Sequence, residues 1–379
     1  MITISRRASS SSRRRARSFT PDRVIDVDHI NEFKEYTVAW FANAALTYFS
    51  SINIYRGFVD PRIIRGSYEI ICSEAQLLLQ DKRVKKIEDE VKGGEKRKGL
   101  APIPLNDAVQ HICDIARGLT TPSITSLEWY FAPEFGEFVK TFIPYRYTGD
   151  AYARRKVYGI STDIASLAVI GVYIAYVYKY VDVHRNVIEY GFIFLDAPEP
   201  HLVNIRRLQD STIMVMQAVH SGKGSKITSY VGVASAIAYI VGSMLNYLQP
   251  FTLHFIRLSS EAQKVRIIGV DFVDLTALAR TLHRLRISGP VYTLIRLYPS
   301  EDKQKSINGC KQFRRFLEEL SRATMIYAEL GDAEALYKVL RSIVHEDSKI
   351  NDDINVCLKA LKVQKEWDEL RRSLFSINI

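Results

Sequence analysis

No two of the four cysteines form a C-x-x-C pair; Cys72, Cys113, Cys310 and Cys357 lie far apart along the chain. A zinc ribbon needs two closely spaced ligand pairs, so this spacing argues against a structural zinc. Each cysteine sits among apolar neighbours, where a free thiol behaves as a small hydrophobe, and that reading implies a reducing, cytoplasmic setting. Catalytic signatures are missing too: the sequence has no G-x-S-x-G elbow and no G-x-G-x-x-G fingerprint. The segment His220–Lys226 comes nearest to a phosphate cradle, but Gln217 stands where a Walker A loop needs its first glycine, and Gly224 follows Lys223 where it needs Ser or Thr. The loop therefore reads either as a contact to a nucleic-acid backbone or as a flexible basic turn. Asp26-Val-Asp-His29 and His345-Glu-Asp347 lack a third converging ligand and read as caps or turns. Asp196 and Glu199, beside prolines at a strand end, read as turn formers. The expectation is a protein without metal, cofactor or catalytic site.

The first twenty residues contain no acid, but carry Arg6, Arg7, Arg13, Arg14, Arg15 and Arg17 among serines. They lack the apolar stretch of a secretory signal. Their composition suits a disordered arm that releases counterions from phosphates, with an organellar transit peptide as the alternative. Two apolar runs, Ile164–Tyr178 and Thr228–Ile256, call for a membrane test. The first is too short to span, and the second is interrupted by Gly232, Gly242, Asn246, Gln249 and Pro250, so both are read as buried core.

What the chain does have is length, apolar content and positive charge. Its 379 residues are 47% apolar, enough for more than one lobe, and the formal net charge is +10. Residues 151–296 hold 16 basic and 9 acidic side chains, so a net +7 is concentrated in the middle of the chain. The many Tyr, Ile, Val and Arg residues, with few Gln, would suit a thermophile.

Periodicity predicts a helix over Ile30–Ser50, a strand over Gly66–Gln80, a solvated loop or short helix over Gln80–Gly99, and a helix over Leu105–Leu119. Thr120–Thr148 reads as irregular, and a boundary falls near Asp150. Beyond it come a strand at Arg154–Ser161, a buried helix at Ile164–Tyr178 and a strand at Val187–Leu195. Helices follow at Leu202–Val219 and Ile227–Leu248, then strands at Phe251–Leu258 and Lys264–Val270. Asp271 or Asp274 would cap a helix reaching Arg286, and Val291–Tyr298 would be a further strand. Apolar stripes after Cys310 predict three amphipathic helices, the first two divided at Gly331-Asp332. The fold class is α+β: a tail over residues 1–23, an N-terminal region over 24–150, a basic mixed domain over 151–300, and a C-terminal helical lobe over 301–379.

Four basic clusters lie in that central domain: Arg154-Arg155-Lys156, Arg206-Arg207, Lys223 with Lys226, and Arg280 with Arg284 and Arg286. Arg280 and Arg284 stand one helical turn apart and share a face. Tyrosines nearby (Tyr152, Tyr158, Tyr230) add stacking surfaces, and the combination points to a nucleic-acid groove.

The order Arg154-Arg-Lys-Val-Tyr-Gly-Ile-Ser161, the buried helix Ile164–Tyr178, the strand Ile188–Leu195, the Gly/Lys loop 222–226 and the helical C-terminal lobe together resemble the large subunit of archaeal type I-A CRISPR effector complexes (Cascade). The resemblance covers roughly residues 30–379. It implies a non-enzymatic, DNA-binding subunit of an RNA-guided antiviral defence complex. Such a subunit reads duplex shape beside the target while guide pairing reads sequence. Its partners would be target DNA, the crRNA complex and neighbouring subunits, with no membrane involved. The sequence departs from relatives that carry a Cys-rich zinc site. A structural scaffold, possibly viral, and an enzyme with dispersed active-site residues such as a nuclease are the alternatives.

Overall fold

A computed structural model describes residues 23–34, 36–81, 103–126, 158–182, 187–196, 252–261, 264–274, 309–344 and 348–375, with further positions at 84–85, 87–88, 205–206, 209–210, 212–213, 217, 280–281, 284–285 and 307. The fold is α+β, with two sheets, an N-terminal group of helices and a C-terminal helical region. The tail, Arg154–Lys156, the Gly/Lys loop, most of the second apolar run and Val291–Tyr298 lie outside the described residues.

The first sheet is small: β1 (Arg23–Ile25) lies parallel to β3 (Tyr158–Ser161), which pairs antiparallel with β2 (Ile124–Ser126). A 3-10 turn at Ile30–Glu32 and an extended Tyr36 precede α1 (Thr37–Ser50), so the helix starts later than the periodicity predicts. Residues 66–80 are helical, contrary to the expected strand. Asp60 caps α2 (Pro61–Gly66) by accepting the Arg62 N–H at 2.8 Å, with Pro61 in the first turn, and α3 (Tyr68–Leu78) follows. Its buried residues Tyr68, Ile71, Cys72, Ala75 and Leu78 recur at spacings of three and four, which a period of two cannot place on one face.

The core is centred on α1 and α5 (Thr162–Ala175), with α4 (Leu105–Ala116) packed alongside. α5 is buried all round, which its apolar run dictates, and Gly171 lets its backbone approach that of Phe41. A Cβ at 171 would overlap the Phe41 carbonyl oxygen. One polar network survives here: the buried Asp163 carboxylate accepts from Tyr68 Oη at 2.8 Å, from the Ile164 N–H at 2.8 Å and from the Ser161 hydroxyl. The Tyr68 hydroxyl is pushed well above its ordinary pKa, by burial first and then by Asp163.

The chain leaves α5 directly into the second sheet, an antiparallel array in the order β4 (Tyr176–Asp182), β5 (Val187–Asp196), β6 (Thr252–Glu261), β7 (Lys264–Asp274). Ile188, Tyr190, Phe192 and Phe194 on one face of β5 pack on the α1–α5 core, joined by Ile256 and Leu258 of β6. This core draws on both sides of Asp150. On the opposite face Tyr178 lies over Gly191 and Arg257 over Gly269, while Tyr178 Oη donates to the buried Glu189 at 2.6 Å. β7 runs through Asp271, which pairs with Phe255 inside the strand and so opens no helix; Asp274 ends the strand, and residues 275–279 after it lie outside the described residues.

The C-terminal lobe comprises α6 (Cys310–Leu330), α7 (Ala333–Val344), α8 (Ser348–Leu361) and α9 (Gln364–Phe375). Gly331 ends α6 in the left-handed conformation (φ 68°) and Asp332 accepts the Glu334 N–H at 2.8 Å, the stop and cap that the sequence implies. The single third helix expected after residue 348 is instead two helices, broken where Lys362 turns to φ 59°. That break swings Trp367 inward, fully buried, edge-on to Phe313 and Phe316 at 6.1 and 5.1 Å.

All four cysteines are paired, which corrects their reading as free thiols. Cys72 on α3 is bonded to Cys113 on α4, and Cys310 on α6 to Cys357 on α8, with Cα separations of 4.8 and 4.9 Å. Facing helices brought these residues together across 41 and 47 positions, a pairing that leaves no local sequence signature. The pairing removes the basis for a reducing compartment, since disulfides persist in oxidising compartments and inside hyperthermophiles. No described helix is long and apolar enough to cross a membrane.

Candidate nucleic-acid interface

The helical turn at 280–285 buries Thr281 and Leu285, and the Leu285 N–H donates to the Thr281 carbonyl at 2.9 Å. With 281 and 285 turned inward, Arg280 and Arg284 are exposed one turn apart, as the sequence predicts. Arg284 reaches the helical lobe: its Nη2 donates to Tyr327 Oη on α6 at 3.0 Å, and its guanidinium lies 5.3 Å from the Tyr327 ring centroid. Lying over the ring and bonded to its hydroxyl, the planar fork is held at one end, and it carries further N–H donors in a geometry that suits acceptors such as phosphate oxygens. Among the described residues neither guanidinium has a carboxylate partner. Two exposed cations one turn apart, one of them braced on an aromatic ring and neither paired with a carboxylate among the described residues, form an arrangement suited to phosphate oxygens. Tyr327 was not among the residues the sequence singled out; it reads there as part of an apolar stripe.

Arg206 is placed differently. Its Nη1 pairs with Glu74 on α3, and its guanidinium lies 5.3 Å from the Tyr48 ring centroid. Tyr48 Oη in turn donates to Asp210 at 3.0 Å, and the phenol is pushed up to about 12, by burial first and then by the Asp210 carboxylate. Arg206 thus ties its short helical stretch to α1 and α3, and its charge is met by Glu74 in a half-exposed pair. The remaining six candidates, Arg154, Arg155, Lys156, Arg207, Lys223 and Lys226, lie outside the described residues.

A second polar cluster was under-read in the sequence. Asp196, which ends β5, is almost buried and accepts from Asn53 Nδ2 at 2.6 Å and from Arg56 Nε at 3.0 Å; His254 Nε2 stands 3.6 Å away. Tyr55 stacks on the His254 ring at 5.6 Å. Burial would raise the Asp196 pKa, but hydrogen bonds from His254, Asn53 and Arg56 outweigh it and hold the carboxyl below its ordinary value. A carboxylate held down in this way is a weak base, and what it does here is fasten the segment after α1 to the sheet. Asp26 and His29 also close on each other, at 2.8 Å, as a turn. Among the described residues no three or more His, Cys, Asp or Glu converge as metal ligands.

No protein-family model matches the chain, and no curated protein matches it.

Proposed function

We propose that this protein is a non-catalytic nucleic-acid-binding subunit of a larger assembly. The observation that carries the reading is the exposed Arg280–Arg284 pair braced on Tyr327, set in the stretch of chain that holds a net +7. Sequence resemblance supplies the assembly: a crRNA-guided effector complex, in which this chain contacts target DNA and its neighbouring subunits while the guide reads sequence. The two disulfides set a condition on a cytoplasmic location, which they fit in a hyperthermophile, where intracellular proteins are commonly disulfide-rich.

The test is fluorescence anisotropy with labelled duplex and single-stranded DNA, using the full chain alone and with its assembled partners. Replacing Arg280 and Arg284 together by Ala is expected to weaken binding by on the order of tenfold or more, through the loss of two charge-assisted contacts. Affinity unchanged in that variant, or no binding at low salt with partners present, would overturn the reading. Metal-dependent turnover by the purified chain would favour the enzyme alternative instead.

A further inference from the structure

We propose that α2 and α3 form the seam of a homodimer, in which two copies lay these helices side by side and antiparallel. Together the two helices carry two apolar stripes. Ile64, Ile71, Ala75 and Leu78 are buried in the core, whereas Ile63, Ile70 and Leu77 stand 57%, 51% and 54% exposed. The junction between the helices does not interrupt the outer stripe: Ser67 keeps a right-handed helical conformation, its N–H donates to the Ile63 carbonyl at 3.1 Å, and its carbonyl accepts the Ile71 N–H at 2.9 Å. Single exposed apolar residues are ordinary, but three at intervals of seven line one side of a helix.

The occupant follows from what lies between those residues. Gly66, Ser73 and Gln80 come three positions after Ile63, Ile70 and Leu77, are exposed as well, and complete the alternating three-and-four spacing of a coiled-coil seam. A Cβ at position 66 would meet nothing within 4 Å, so the notch over Gly66 is open to an incoming side chain. A two-fold axis between Ile70 and Ser73 sets Ile70 against Ser73 of the second copy, Leu77 against Gly66, and Ile63 against Gln80, each contact occurring twice. Large side chains that face gaps interdigitate, whereas large side chains that face each other hold the helices apart. The alternation is its own complement, as a two-fold seam requires and as an unrelated partner would match only by chance.

The polar residues beside the stripe agree with the same register. Flanking the layer of Ile70 and Ser73, the exposed Glu69 comes opposite the exposed Gln76 of the second copy, an acid facing an amide on both sides of the axis. A register centred on Ile70 itself would set Glu69 against Glu69 and Ile70 against Ile70, like charge on like charge and bulk on bulk. Area sets the strength. One helix pair of this length lies near the lower bound of specific interfaces, roughly 1,200 Å² in total, so the dimer is expected to be reversible, with a dissociation constant in the micromolar range. This pairing is independent of nucleic-acid binding.

Sedimentation velocity on the full chain, free of nucleic acid and followed over a concentration series, tests this. The wild type is expected to pass from monomer to dimer as its concentration rises. Gly66→Leu adds an apolar side chain where the single chain has room, so it would strengthen any unspecific apolar association. In this seam it fills the notch that Leu77 of the second copy enters, and it is expected to raise the dissociation constant by on the order of tenfold or more. Gln76→Lys, facing Glu69 twice, is expected to tighten the dimer severalfold, and Gln76→Glu to loosen it. Melting temperatures measured at concentrations where the wild type is monomeric are expected not to fall in these variants, which separates an interface effect from misfolding. A wild type that stays monomeric throughout, a Gly66→Leu chain that associates as tightly as the wild type or more so, or Gln76 variants that do not move in opposite directions overturn the proposal.

Discussion

Replacing Cys310 and Cys357 together by Ala cuts the cross-link between α6 and α8 without leaving a free thiol. The bond closes a loop of 47 residues. Chain-entropy reasoning gives about 4 kcal/mol for a loop of that size, drawn from the unfolded state, and the 41-residue loop closed by Cys72–Cys113 gives about the same. Against a typical domain stability of about 5–15 kcal/mol, that is a large fraction for a lobe whose core rests on Phe313, Phe316, Leu317, Leu336, Leu358 and Trp367. Urea unfolding followed by circular dichroism, with and without reductant, is the assay. The double variant should lose about 4 kcal/mol without reductant, and reductant should lower the wild type further by breaking both bonds. The reasoning fails if the double variant unfolds with the wild type, or if alkylation of the unreduced, unfolded chain labels four thiols.

Gly171→Ala should destabilise by about 1–3 kcal/mol or more, because the added methyl meets the Phe41 carbonyl of a packed helix instead of a side chain that can rotate away; thermal melts would show it. Tyr68→Phe should cost about 1–3 kcal/mol by removing a donor from the buried Asp163 carboxylate, measured by denaturant titration. The Asp196 carboxyl has a lower pKa folded than unfolded, so its contribution is complete at neutral pH and is lost as the pH falls below about 4 toward that lowered value. Stability measured against pH should fall less steeply through that acid window in Asp196→Asn.

How legible this molecule was in its sequence depended on how local each cause is. α5, β5 and the Gly331-Asp332 stop were readable because a fully apolar run, a β-branched alternation and a glycine followed by a cap each act within a few residues. Residues 66–80 misled because Ile70 and Leu77 are apolar yet exposed, so the apolar pattern of that segment does not coincide with its buried face. The disulfides and the Asp196 cluster were illegible for a different reason. Cys72 and Cys113, or Asn53 and Asp196, are neighbours only after distant helices and strands have packed, 41 and 143 positions apart. At the interface, spacing alone placed Arg280 and Arg284 on one face, but spacing could not separate them from Arg206. What distinguishes Arg206 is a carboxylate and a ring, Glu74 and Tyr48, more than a hundred residues away.

Whether the exposed arginine pair contacts phosphate is tested most directly by the salt dependence of DNA affinity. The logarithm of the binding constant should fall linearly with the logarithm of salt concentration, by roughly 0.9 per phosphate contact. Replacing Arg280 and Arg284 by Ala should flatten that slope by about two, one for each contact removed. An equal slope in wild type and double variant, or an affinity that does not change with salt, would contradict the account.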